Sequence, residues 1–115
     1  MKVFVYYNLH RKLWSVKALE GPRKGRVIAH SHYVVLRDAV GKVSQAGRER
    51  VLRERRKNVH AGIVGTLVEA EAHQIPARKV TYNPYKYETF VYADDQSPFE
   101  GTSFAVLAHK SVFVA

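Results

Sequence analysis

The stretch GRERVLRERRKNVH, residues 47–60, concentrates positive charge beside groups that form directional hydrogen bonds. Six Lys or Arg fall within the ten residues from Arg48 to Lys57, and only Glu49 and Glu54 offset them. Five of the six cations are Arg, whose planar guanidinium binds phosphate through two parallel hydrogen bonds. This composition favours phosphate binding, and the alternative is a helix face whose Arg stems lie along the protein while their charges stay in water.

The same residues have helix-forming composition, and Ser44 is a suitable N-cap, so the sequence predicts a principal basic helix over about 44–57. At 100° per residue, Arg48 and Arg55 project between Val51 and Leu52, the only large apolar residues of this helix. A partly buried Arg requires an anion. The candidates are a phosphate from outside the chain and the carboxylates of Glu20, Glu69 and Glu71.

Aromatic residues next to further cations supply a second element of binding. Three Tyr lie within the six residues 82–87, close to Lys86. Bases stack on such rings while basic side chains follow the phosphates, although Tyr on an antiparallel strand also packs in cross-strand pairs. The predicted ligand-binding set combines both segments and consists of Arg48, Arg53, Arg55, Arg56, Lys57, Asn58, His60, Tyr82, Tyr85 and Lys86.

Catalytic and metal-binding patterns are scarce. His60 follows the basic stretch and is suited either to proton transfer or to a buried structural hydrogen bond. His30 and His32 form an H-x-H pair, but no third metal ligand is apparent. Phosphate-loop, dinucleotide, nucleophile-elbow and zinc-protease motifs are all absent. The sequence therefore predicts no catalytic residue, no metal site and no cofactor.

Composition limits the class of protein. The 115 residues, 46% of them hydrophobic, suit one domain over 1–115 with a single core. A net charge of +9 favours nucleic acid, nucleotides or another anionic partner. The absence of Cys and of a secretory signal, together with the lack of a spanning apolar stretch, favours a cytoplasmic protein without a membrane partner.

Most of the chain has strand character. Hairpins are predicted at 8–11 and 109–111, and the long segment 78–93 is predicted to be extended, with Pro84 at an edge or bend. The sum is an α+β domain, with a mainly antiparallel sheet of about six to eight strands and the one basic helix. The apolar end SVFVA suggests an edge strand that pairs with another chain, and so a homo-oligomer.

The segments VYYNLHRKLWSVKA, RVLRERRKNVHAGIVGTL and VTYNPYKYETFVY resemble small, mostly uncharacterised proteins of tailed bacteriophages. The resemblance covers most of the chain and carries no catalytic residue. It implies the cytoplasm of an infected bacterium as the setting, and host machinery or defence as the target.

Three functions are compatible with these patterns. The first is a non-enzymatic binder of phosphate-bearing ligands, either nucleic acid or a small nucleotide. The second is an interaction module or inhibitor that docks its basic helix on an acidic host protein. The third is a small enzyme that acts on nucleotides or nucleic acid with His60 as acid or base.

Overall fold

The computed structural model describes residues 1–69 and 74–115, in which nine strands form one antiparallel sheet and a single helix lies between the fourth and fifth strands. The elements are β1 (Lys2–Asn8), β2 (Leu13–Ala18), β3 (Val27–Ser31), β4 (Tyr33–Val43), α1 (Gln45–Glu54), β5 (Ala61–Val68), β6 (Arg78–Thr81), β7 (Val91–Tyr92), β8 (Thr102–Ala108) and β9 (Ser111–Val114). The order across the sheet is β3-β2-β1-β5-β4-β8-β9-β6-β7.

The sheet curls on itself because β3 runs into β4 across one residue, His32. β3 pairs with β2, β2 with β1, β1 with β5, and β5 with β4, so these strands form a closed circuit through the β3–β4 connection. Ser31 holds the connection, since its Oγ donates to the Tyr33 carbonyl at 2.8 Å and accepts from the Tyr33 N–H at 3.2 Å. Ser31 thus orients Tyr33, the first residue of β4, at the point where the chain stops pairing with β2 and begins to pair with β5 and β8.

The interior of the curled sheet holds the main core. Side chains alternate between the two faces of a strand, so Val34 and Leu36 of β4 enter the main cluster while Val35 lies on the opposite face. The main cluster draws on seven strands and on residues that flank β7, and its buried members include Val5, Trp14, Leu36, Ile63, Phe90, Phe99, Leu107 and Val114. The sheet encloses this core largely without helices.

The predicted antiparallel sheet with one helix is confirmed, but the strands are nine and α1 has only ten residues, so the fold is dominated by the sheet. The segment predicted to be extended over 78–93 divides into β6, a turn at Pro84–Lys86 and the two-residue β7. Asn83 makes this turn, because its carbonyl accepts from the Tyr87 N–H and its Oδ1 from the Tyr85 N–H.

The two predicted hairpins are confirmed at 9–12 and at His109–Lys110. The prediction of a free edge at SVFVA is wrong, because β9 lies between β8 and β6 and pairs with both. The edge strands are β3 and β7. Within the described residues, no helix is long and apolar enough to cross a bilayer.

Removing the Ser31 hydroxyl tests its role in the bend. We expect Ser31→Ala to lower the free energy of unfolding by about 1 kcal/mol, because two hydrogen bonds to Tyr33 are lost. Urea unfolding followed by circular dichroism measures the change. Ser103→Ala, at an exposed position of β8, is the matched control and should change stability far less. Equal effects of the two substitutions would remove the special role of Ser31.

Candidate functional site: a basic excursion from the β4–β5 hairpin

Most of the predicted binding residues lie on one excursion of the chain, residues 44–60, between the end of β4 and the start of β5. Ser44 N–H donates to the His60 carbonyl at 2.7 Å, so the antiparallel pairing of β4 with β5 extends to this pair before the chains separate. The excursion leaves and rejoins the sheet at the same place. We refer to residues 44–60 as the basic excursion.

The helix of the excursion begins and ends on local hydrogen bonds. Ser44 is the N-cap as predicted, and its Oγ accepts from the Gly47 N–H at 3.2 Å. At the other end Arg55 has a left-handed backbone, with φ of 54°, and its N–H donates to the Val51 carbonyl at 2.8 Å. α1 therefore ends at Glu54, three residues before the predicted boundary.

Arg48 joins the helix to the turn at Pro84–Lys86 rather than to an acid. Its Nε–H donates to the carbonyls of Pro84 and Tyr87, each at 3.1 Å. Of the two candidate anions, an internal carboxylate does not contact Arg48 within the described residues, and its part-buried Nε–H is satisfied by carbonyl oxygens instead. Arg55 is exposed and needs no buried anion. Of the three acids proposed as partners, Glu71 lies outside the described residues.

Two more contacts hold the excursion on the same turn segment. Gln45 Nε2–H donates to the Glu88 carbonyl at 3.0 Å. Val51 is the one buried residue of α1. Because so little apolar surface anchors the helix, its position depends on these polar contacts to residues 82–88.

His60 and Tyr82 form a hydrogen-bonded pair beneath the helix. The Asn58 carbonyl can only accept, so His60 Nδ1 carries the proton and donates to it at 2.8 Å, and His60 Nε2 accepts from the Tyr82 hydroxyl at 2.7 Å. The Tyr82 ring also packs on Phe90, with 5.2 Å between ring centroids. Both ring nitrogens of His60 are thus engaged within the chain, as is the hydroxyl of Tyr82.

Burial raises the pKa of Tyr82 above its ordinary value, and the nearby positive charge of Arg48 opposes that rise. The hydroxyl is therefore protonated throughout the neutral range, which is the state that donates to His60. Arg48, His60 and Tyr82, all in the predicted binding set, make contacts that position the excursion.

The remaining cations of the excursion are exposed. Within residues 1–69 and 74–115, ion pairs involve only Arg78 with Asp94 and Asp95, so none of the excursion's exposed cations is paired. Asn58 is also exposed, although its carbonyl is used by His60. Tyr85 and Lys86 are exposed on the turn that Arg48 contacts, which brings them beside α1. The exposed cations of the excursion are Arg50, Arg53, Arg55, Arg56 and Lys57.

A cleft of about 490 Å³ lies at the foot of the excursion and includes Ser44, Val59 and His60 in its lining. Phe4 and Tyr6 of β1 line it with their ring centroids 5.9 Å apart. Two further cations, Lys17 of β2 and Lys42 of β4, complete its basic and aromatic character.

The binding set predicted from the sequence omits four residues that line this cleft, Phe4, Tyr6, Lys17 and Lys42. The alternation of β1 could have indicated Phe4 and Tyr6. Val3 and Val5 are fully buried in the core, so Phe4 and Tyr6, which alternate with them, must face the other side of the sheet. What the sequence did not show is that this face of β1 lies at the foot of the excursion.

The two His of the H-x-H pair are separated by the end of β3. His30 is on the strand and its Nδ1 lies 3.0 Å from Ser15 Oγ, whereas His32 is the connecting residue before β4. In the described parts of the chain, no three His, Asp or Glu side chains come together as metal ligands.

Gly47 determines how closely α1 approaches β5. A Cβ at this position would lie 2.5 Å from His60 Cβ, an atom that cannot move without the backbone. We expect Gly47→Ala to lower the free energy of unfolding by about 1 to 2 kcal/mol, although Ala favours a helix over Gly by about 1 kcal/mol. Thermal and urea unfolding measure the change.

Ala46→Gly, at the neighbouring exposed position, is the control for helix propensity and should cost about 1 kcal/mol. A stabilising effect of Gly47→Ala would contradict the close approach of the helix to His60.

The Tyr82–His60 contact predicts a pH dependence of stability. Because folding raises the pKa of Tyr82, its contribution to stability is complete below the unfolded value near 10 and is lost as the pH rises through the folded pKa. We expect Tyr82→Phe to cost about 1 kcal/mol at pH 7 through the lost hydrogen bond, and the difference from the parent protein to shrink towards pH 11.

Urea unfolding at pH 7, 9 and 11 measures this difference. Tyr85→Phe removes a hydroxyl from an exposed ring and should track the parent protein at each pH. A constant difference between parent and Tyr82→Phe across this range would exclude the raised pKa.

The model of one protein family, described as the Mycobacterium phage L5 gene 82 protein, matches residues 1–115. The chain is 50% identical over 121 aligned residues to the gene 82 protein of Mycobacterium phage L5, and the alignment covers 100% of this chain and 96% of that protein. No solved structure matches. The chain belongs to this family of small phage proteins, which confirms the resemblance on which the sequence analysis relied.

Proposed function

We propose that this phage protein binds the phosphate backbone of nucleic acid through the basic excursion and acts in the cytoplasm of the infected host. The observation that carries the proposal is the cluster of exposed cations on residues 50–57, none of which forms an ion pair with the described part of the chain. The acids that offset charge elsewhere in the described chain are not paired with these residues.

The unpaired cations repel one another, and a polyanion would relieve that repulsion. Arg50 and Arg53 lie about one helical turn, or roughly 5 Å, apart, and Arg55, Arg56 and Lys57 follow directly after the helix, so this spacing is within the Debye length of about 8 Å at physiological ionic strength. Salt therefore screens the repulsion only in part. Phosphates spaced along a strand would neutralise several of these charges at once and release bound counterions.

The left-handed backbone of Arg55 supports a role for its side chain. Gly is the usual residue at such a helix end because it adopts positive φ without steric cost. An Arg at this position retains a cation where the fold alone favours Gly. Residues of this kind, held in sparsely populated conformations, often lie at functional sites.

The surface around the excursion offers groups that bases and sugars would contact. Tyr85 is 58% exposed, and Lys86 follows it on the same turn. The cleft at the foot adds Phe4 and Tyr6, whose rings lie beside Lys17 and Lys42. Aromatic rings next to cations are the usual composition of surfaces that bind single strands.

An extended ligand fits this arrangement better than an enclosed small nucleotide. The exposed cations of the excursion do not line the cleft at its foot. They lie on an open surface, where the backbone of a strand passes several side chains in sequence. A mononucleotide would contact only one or two of them.

Neutralising the end of the excursion tests the proposal. The variant Arg53→Gln, Arg56→Gln, Lys57→Gln should bind a labelled single strand of about 20 nucleotides at least tenfold more weakly than the parent protein at 50 mM salt. The slope of log affinity against log salt should fall by about 2 to 3, since roughly one counterion is released per phosphate contact. Fluorescence anisotropy between 50 and 200 mM salt gives both quantities.

The control variant carries the same change of charge at three exposed cations on other elements, Arg11→Gln, Arg37→Gln and Lys79→Gln. It should retain most of the parent's salt slope. Equal losses in the two variants would show that net charge alone attracts the strand. If the parent protein binds neither single strands nor duplex more tightly than millimolar, the proposal fails and an acidic protein surface becomes the partner to test.

A further inference from the structure

A second cleft, of about 510 Å³, lies away from the basic excursion, at the opposite end of β4. It is bounded by the β1–β2 turn, the β3–β4 connection and the β8–β9 turn. Three aromatic side chains from these elements form part of its lining. They are Tyr7, Trp14 and Tyr33.

Two of the rings form a corner suited to a flat ligand. The Tyr7 and Trp14 rings meet edge to face, with 5.3 Å between centroids and 78° between planes. Trp14 is 5% exposed, and its indole N–H is buried without an acceptor in the part of the chain that the structure describes. A buried donor without a partner is unusual in a folded protein, and a ligand with acceptor atoms would supply one.

Basic side chains rather than acids accompany these rings, and two of them, Lys12 and Lys110, carry positive charge. Lys12, His109 and Lys110 line the cleft, and no acidic side chain of the described residues does so. None of these three side chains forms an ion pair within the described chain. An anionic group in the cleft would therefore meet positive charge from two separate hairpin turns.

Each of these three residues has a left-handed backbone. The φ angles are 56° at Lys12, 50° at His109 and 62° at Lys110. Gly or Asn is the favoured residue at such positions, above all in a two-residue hairpin turn such as the one at His109–Lys110. Half of the six non-glycine residues with positive φ in the described chain thus line one cleft. Strained residues that cluster in this way indicate a functional constraint.

We propose that this cleft binds a planar ring that carries a phosphate, the chemistry of a nucleoside monophosphate. The ring lies against Tyr7 and Trp14, an acceptor of the ligand meets the indole N–H after a small local adjustment, and the phosphate lies near Lys12 and Lys110. A volume of about 510 Å³ is in the range of sites for ligands of this size. The site is separate from the basic excursion and does not depend on nucleic-acid binding there.

Trp14 is the sole Trp of the chain and reports occupation of the cleft directly. The emission of Trp14 is titrated with AMP, GMP, CMP and UMP, and equilibrium dialysis confirms the stoichiometry. We expect a saturable change with at least one of them at a Kd below about 1 mM, and binding of the matching nucleoside and of ribose 5-phosphate at least tenfold weaker than that nucleotide. The absence of a saturable change with all four up to about 10 mM overturns the proposal, as does ribose 5-phosphate binding as tightly as the nucleotides.

Substitution by Gly separates binding from folding. Lys12→Gly and Lys110→Gly should each weaken nucleotide binding fivefold or more while the melting temperature is kept or raised, because Gly tolerates the positive φ. Gln96→Gly, at another position of positive φ outside the cleft, is the control and should leave the Kd unchanged. Unchanged affinity in both Lys variants overturns the assignment of the phosphate to these residues.

Two sources of the ligand are distinguished in the excursion variant Arg53→Gln, Arg56→Gln, Lys57→Gln. This variant should bind a free mononucleotide as the parent protein does. A short oligonucleotide with a terminal phosphate is then titrated against this variant. If it gives the same Trp14 response and binds at least tenfold more tightly than the mononucleotide, the ligand is the end of a strand, and the free nucleotide is overturned as the ligand.

Discussion

The constraint on which the rest of the structure depends is the continuity of β3 with β4 across His32. One strand pairs with β2 on one side of that residue and with β5 and β8 on the other, so the sheet must curl until its first and fifth positions are joined by the chain. Because the sheet curls, one of its faces encloses an interior, and side chains from seven strands pack there as the core. The protein therefore buries a core with one ten-residue helix, whereas an open sheet of nine strands would need a second layer to cover it.

With the core enclosed by strands, α1 has no large apolar surface to cover. This explains why residues 48–57 are so rich in Arg and Lys. A helix with Val51 as its one buried residue can carry charged side chains on nearly all sides. Its position is maintained by polar contacts, Arg48 to the carbonyls of Pro84 and Tyr87 and His60 to Tyr82. Some of the basic residues thus position the others, and the cations that remain exposed are those with no structural role in the described chain.

The sequence predicted what depends on local pattern. The polar turn residues of the two hairpins and the Ser44 cap each have a physical cause within a few residues, and both features lie where the sequence predicts them. The end of α1 at Glu54 was not predictable in this way, because Arg55 adopts a backbone that normally selects Gly. The turn at Pro84–Lys86 was not predictable either. It is made by hydrogen bonds of Asn83, whereas the surrounding residues have the composition of a strand. For Arg48 the sequence correctly predicted a partly buried cation. Its acceptors could not be predicted, because they are carbonyls 36 and 39 residues away in the chain and residue spacing indicates only local contacts.

The distribution of acids explains why the two basic regions remain positive. Asp94 and Asp95 lie with Arg78 at the β6–β7 edge, where the guanidinium also covers the Tyr92 ring at 3.5 Å, and Glu20 accepts from the backbone N–H of Lys2.

β4 runs between the two basic regions. The second cleft, at the β3–β4 connection, includes Tyr33 at the start of this strand, and the excursion begins after Val43 at its end. The ten residue-to-residue steps of β4 from Tyr33 to Val43 span at most about 33 Å, and the bulge between Arg37 and Val40 shortens that distance. The two regions are also joined by β1, because Tyr6 lines the cleft at the foot of the excursion and its neighbour Tyr7 lines the cleft at the β3–β4 connection, so a ligand that displaces this strand at one cleft would act on the other.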